Sequence, residues 1–297
     1  MEFIAKGRRS NGREPHYPGV GIPYISFLKI LQRDLRCRAM LKNDSSSTWR
    51  AHPWAFAAAT LLMLVILNYL HEVLSRFAAY RSLYKNHAFY VPEGIDKIGG
   101  IVLCALAVWV LRRVAWKDIV HELGLADSPL SALCFALLAS SPMLVGFVLT
   151  RSLTPHMEPR TIFFLTVISP IAEEIEFRGL GVRVLQRGTG WPFWILVWPQ
   201  ALLFGLGHIE QGQSPLEMAE LMLLTGLGAV VFAWLVYRWQ SLWFPIALHI
   251  CMNLWWELFS VAKSALGGRF PFALQVASIL LAIVITLYWT KRKPRPR

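Results

Sequence analysis

Apolar runs recur along the chain at about 53–70, 98–115, 129–150, 161–180, 191–209, 217–237, 242–260 and 271–290, separated by shorter polar and basic segments. Most approach the ~20 residues that a helix needs to cross a bilayer core. The pattern predicts an all-α polytopic membrane protein with about eight transmembrane helices in one bundle. Residues 51–290 read as that transmembrane domain, 1–50 as a basic cytoplasmic N-terminal segment and 291–297 as a basic cytoplasmic tail. Within the first segment, "YISFLKILQRDLRCRAMLK" mixes apolar and basic positions at roughly helical spacing. It reads either as an interfacial helix on an anionic leaflet or as a cytoplasmic tail. There is no internal repeat, and the glycines of "GLGVRVLQRGTG" lack the strand-before-helix context of a dinucleotide fold.

The fourth run breaks the pattern. "TIFFLTVISPIA" is followed at once by "EEIEFRG", which holds Glu173, Glu174, Glu176 and Arg178. Its twelve apolar residues make about 18 Å of helix, short of the ~30 Å hydrocarbon core. The helix is therefore expected to run on through the charges and carry Glu173 inside the membrane. Such charges cost about 2.5–3.5 kcal/mol each at mid-depth and normally face an internal polar cavity. An intramembrane cluster of this kind is a site hypothesis in its own right.

Composition agrees with the solvent. Of 297 residues, 55% are hydrophobic and 16% charged, with 13 tryptophans and a mean hydropathy of +0.45. The net charge of +12 does not point to nucleic acid, because the basic residues lie between the apolar runs and at the two ends. The N-terminal fifty residues hold ten Lys or Arg against four Asp or Glu. Arg112, Arg113, Lys117, Arg183, Arg187, Arg238 and the final "KRKPRPR" fall on the same side as that segment when eight spans are counted. The positive-inside rule then places both termini in the cytoplasm. The segment 71–97 fits poorly, since Arg76, Arg81, Lys85 and Lys97 lie outside in that scheme. The four cysteines, Cys37, Cys104, Cys134 and Cys251, have no paired spacing and read as packing residues. The first long run begins near Trp54 and reads as a span rather than a cleaved leader.

Two further runs carry polar residues. In "ALLFGLGHIEQG", Gly205 and Gly207 permit close helix approach, and Phe204 lies one turn before His208. In "FPIALHICMNLWW", His249 and Asn253 are four apart on one face of an apolar helix. Glu174 and Arg178 are likewise four apart and positioned to pair, which leaves Glu173 available about 100° away. A carboxylate near histidine can take a proton from water, while histidine and an asparagine amide can stabilise the oxyanion formed when water attacks a carbonyl. Glu173, His208 and His249 are equally legitimate zinc ligands, although no HExxH is present. No serine elbow is seen, and Cys251 faces away from His249.

The ordered motifs "EEIEFRG", "FGLGH" and "HICMN" resemble the EExxxR, FxxxH and HxxxN motifs of the CPBP family, which contains type II CaaX prenyl endopeptidases and bacteriocin-processing or self-immunity proteins. The resemblance covers about 160–260. It implies an eight-helix intramembrane endopeptidase in which Glu173 and His208 activate water, His249 and Asn253 form the oxyanion site, and Glu174, Arg178 and Phe204 support them. Members of the family have been described both as metalloproteases and as glutamate-dependent proteases.

The expected function is hydrolysis of a peptide bond in a membrane-associated protein, lipidated or carrying a hydrophobic C-terminal segment, with the bilayer and that substrate as partners and no nucleic acid. A metal-free mechanism is favoured, because zinc on Glu173, His208 and His249 leaves no separate base except Glu174, which is assigned to Arg178. The alternatives are a non-proteolytic binding or bacteriocin-immunity protein of the same fold, and a transporter that uses the glutamates as a proton relay.

Overall fold

The computed structural model describes residues 52–154, 158–259, 261 and 266–291. The interfacial helix expected within 1–50 and the basic tail beyond Lys291 lie outside these residues. The described chain is helical, and its one β-bridge pairs Leu153 with Phe259. Helix α1 is Pro53–Asn68, followed by the short α2 (Leu70–Leu74) and α3 (Ala78–Asn86). Next come α4 (Tyr90–Arg112) and α5 (Ile119–Leu123). A bent pair follows, α6 (Leu130–Ala139) and α7 (Ser141–Thr150). Residues 159–189 form one unbroken helical path, α8, of α- and π-helical stretches. The chain continues as α9 (Phe193–Leu206), α10 (Pro215–Trp239), α11 (Trp243–Leu258) and α12 (Arg269–Lys291).

Each apolar run of the sequence falls on one of these helices, but the helices are not equal as spans. By length and apolar composition, α4, α10 and α12 can each cross a membrane, and α6 with α7, bent by 49°, forms either a broken fourth span or a re-entrant loop. The other runs form the 16-residue α1 and α11, the 14-residue α9 and the charged α8. The expected count of about eight spans is thus not reached on length and composition. Proline and glycine shorten the helices, and the charge cluster interrupts the apolar path. Pro53 starts α1 at a position where its missing N–H is not needed. Pro199 lies inside α9 without breaking it, and "GLGH" turns out of its end.

Helix α8 is the centre of the bundle, packing against α1, α4, α5, α9, α10 and α11. Gly181 admits the Leu64 side chain, which would stand 2.8 Å from a Cβ placed there. At one end of α8, Glu122 pairs with Arg112 and Arg187 at 3.0 Å each, while the Nε of Arg183 donates to the Glu122 carbonyl. These three arginines are inner-loop cations in the sequence, and they fasten α4 and α8 to α5. Gly124, at φ +83, ends α5, and its carbonyl accepts from Leu242 N at the start of α11. A side chain on Gly124 would be strained in that backbone and would meet Arg183 at 3.0 Å.

Candidate active site

The stretch 164–184 is mostly π-helical, in two segments, Phe164–Ile168 and Glu174–Val184, on either side of Ser169–Glu173. Wider turns of this kind shift side chains relative to a plain α-helix and are frequent at functional sites. Glu173 and Glu174 stand at the junction and diverge. Glu174 is fully buried, and its Oε1 lies 3.2 Å from Arg178 Nη1 and 3.0 Å from His249 Nδ1. Arg178 is 1% exposed and lies under two rings, with its guanidinium carbon 4.2 Å from the Phe204 centroid and 5.5 Å from that of Phe232. One carboxylate therefore neutralises the arginine and holds the histidine. Because that carboxylate can only accept, His249 donates through Nδ1–H, and its Nε2 is turned toward Glu173, 3.9 Å from Oε2.

Glu173 keeps 16% of its side chain exposed, so water can reach it as it cannot reach Glu174. Its Oε1 accepts from Ser169 Oγ at 2.6 Å and from Lys97 Nζ at 3.1 Å. Lys97, His249 and His208 all lie within electrostatic reach of it. Glu176 turns toward α4, and its Oε1 would stand 2.1 Å from a Cβ on Gly100. It is buried against α4, with Lys97 and Glu173 as its charged neighbours.

His208 sits in the turn after α9, and its Nδ1 lies 2.7 Å from the Phe204 carbonyl. A carbonyl only accepts, so in the neutral ring Nδ1 carries the proton and Nε2 keeps its lone pair. The His208 ring lies 4.5 Å from that of Phe204, which in turn packs edge-on against Phe177. Gly205 lets α9 close on α10, since a Cβ there would meet the Met222 carbonyl at 2.6 Å. Asn253, one turn beyond His249, donates one Nδ2 proton to the Leu165 carbonyl at 3.3 Å. Its amide has a second proton to give.

Among the sequence candidates, the structure joins Glu173, Glu174, Arg178 and His249 by direct contacts. It brings Phe204 against Arg178 and His208 against Phe204, with His208 within electrostatic reach of Glu173, and holds Asn253 on the adjoining turn of α11. The donor atoms of Glu173, His208 and His249 do not form a set within 4.8 Å of one another. An ion held by all three would require the side chains to move.

The sequence reading missed Lys97 and Ser169. Lys97 counted there as an outer-loop cation, because the second apolar run was taken to begin at 98. The helix in fact begins at Tyr90, which places Lys97 inside the bundle. The charge-bias violation of the 71–97 segment was the signal that could have found it.

Comparison with known proteins covers this same region. Residues 155–255 match the family described as Type II CAAX prenyl endopeptidase Rce1-like. The match falls on the same segment as the resemblance drawn from the three motifs. The chain is also 32% identical over 95 residues to a protein of Bacillus subtilis (strain 168) named "Putative membrane peptidase YdiL". That alignment takes in 32% of this chain and 35% of the relative, so the chain spans about a third of the relative's length. No solved structure matches.

Proposed function

We propose that the chain is an intramembrane endopeptidase that cleaves a membrane-associated protein near a lipidated or hydrophobic C-terminal segment, with both of its own termini in the cytoplasm. The observation that carries this reading is the meeting of Glu173 with His249 across two helices, with Lys97 and His208 acting on the same carboxylate. Glu173 takes a proton from a water molecule whose other hydrogen is held by Nε2 of His208, and the water oxygen attacks the peptide carbonyl. His249, held through Nδ1 by Glu174, donates a hydrogen bond from Nε2–H to the developing oxyanion. The free amide proton of Asn253 is the second donor. Collapse of the intermediate breaks the C–N bond, and the proton taken by Glu173 passes to the leaving amine. No metal is used in this scheme. Elemental analysis, with activity measured before and after exhaustive chelation, decides that point. Stoichiometric zinc whose removal abolishes cleavage and whose return restores it would overturn the metal-free step.

The test of function uses detergent-purified and liposome-reconstituted protein. Release of a C-terminal fragment is followed from model peptides that differ only in a lipid on the residue before the scissile bond, alongside proton flux in the same vesicles. Cleavage without flux is expected. Flux without cleavage would favour the transporter reading, and binding without either would favour the immunity protein.

A further inference from the structure

Outside residues 155–255 lies a second cluster of chemically capable side chains. His71 on α2 and Glu93 and Asp96 on α4 bring one nitrogen and two carboxylate oxygens within 4.8 Å of one another. We propose that these three residues bind a divalent transition-metal ion of the zinc class, which clamps α2 and α3 to the N-terminal half of α4.

The donor spacing fits such an ion. His71 Nδ1 lies 2.9 Å from Asp96 Oδ2 and 3.8 Å from Glu93 Oε1. A tetrahedral ion with ligand bonds of about 2.0–2.2 Å places its donors about 3.3–3.6 Å apart, and the two observed distances bracket that range. Glu93 and Asp96 stand three apart, so both project from one face of α4 toward His71. Among the described residues neither carboxylate forms an ion pair with lysine or arginine, since Lys97 turns the other way to Glu173. Two anions thus face one histidine, with Lys97 acting on Glu93 only at a distance while its direct contact is with Glu173.

The carboxylates are also held as ligands are. Tyr80 OH donates to Asp96 Oδ2 and Tyr84 OH donates to Glu93 Oε1. Hydrogen bonds from a second layer of side chains fix ligating carboxylates in this manner. Independently of those bonds, Asp96 is 9% exposed and its Oδ1 is buried without a hydrogen-bond partner. A buried carboxylate oxygen left unpaired is costly, and a cation held by both oxygens of Asp96 satisfies it. His71 and Glu93 are 45% and 32% exposed, which gives an ion a way in and leaves room for a water ligand.

The site also has a structural consequence. Helices α2 and α3 are short, and the His71, Tyr80 and Tyr84 contacts are what attach them to α4. Asp96 immediately precedes Lys97, so an ion on Asp96 steadies the turn of α4 that reaches Glu173.

Chelator-stripped, full-length protein in detergent is titrated with zinc, and bound metal after desalting and the shift in Tm are both read. One equivalent of zinc and a raised Tm are expected. His71→Gln and Glu93→Gln should each lose the stoichiometric ion and the shift, while Tyr80→Phe should weaken the affinity about 10- to 100-fold. Glu173→Gln should bind zinc like the unaltered protein, which separates this site from the cleavage site. Failure to retain zinc, retention in both ligand variants, or loss in Glu173→Gln with retention in His71→Gln would each overturn the proposal.

Discussion

Lys97 Nζ lies 3.1 Å from Glu173 Oε1, tying α4 to the carboxylate at the junction of the two π-helical stretches of α8. The pair joins residues 76 positions apart, and one of them lies outside the segment that matches the Rce1-like family. Lys97 therefore acts as a positioning residue for Glu173. It holds one oxygen so that the other faces His249.

Lys97→Met should lower kcat with little change in KM, because the lysine orients the base and does not bind substrate. Lys97→Arg should recover part of the loss. A rise in KM at unchanged kcat would show that Lys97 contacts substrate instead.

The Glu174 and Arg178 pair is closed to water, and Glu174 also holds His249. Replacing Glu174 with Gln or Arg178 with Met should each cost about 3–5 kcal/mol of stability, since each leaves an uncompensated buried charge. Chemical unfolding in detergent micelles checks this. Glu173→Gln should remain near the stability of the unaltered protein, because Lys97 and Glu173 keep 24% and 16% of their side chains exposed and water can replace the lost contact. An equal loss for Glu173→Gln would mean that the whole cluster is structural.

Asn253→Ala should reduce turnover by about 10²–10³ while leaving KM close to its original value, as removal of an oxyanion donor does. Steady-state kinetics on a fluorogenic peptide gives both numbers. A change confined to KM would remove Asn253 from the oxyanion site.

What could be read in the sequence divides along physical lines. Helical class, the positions of the apolar runs and the three polar motifs follow from periodicity and spacing, and in the structure Glu174 meets Arg178 as their separation of four suggests. The number of crossings was less legible. Apolar runs were counted as spans, whereas α9 stops at Leu206 before His208, and α1 and α11 reach only 16 residues. Long-range pairing was illegible altogether. Nothing local marks Lys97 as the partner of Glu173, or His249 as sharing Glu174 with Arg178, because both depend on how helices pack around α8.

The central claim is that Glu173 performs the chemistry, and its most direct test is peptide release by the unaltered protein and by Glu173→Gln in the same proteoliposomes, with folded protein in each matched by size-exclusion chromatography. The account predicts cleavage by the first and none above background by the second, at equal folded amount. Cleavage of comparable rate by Glu173→Gln would contradict it.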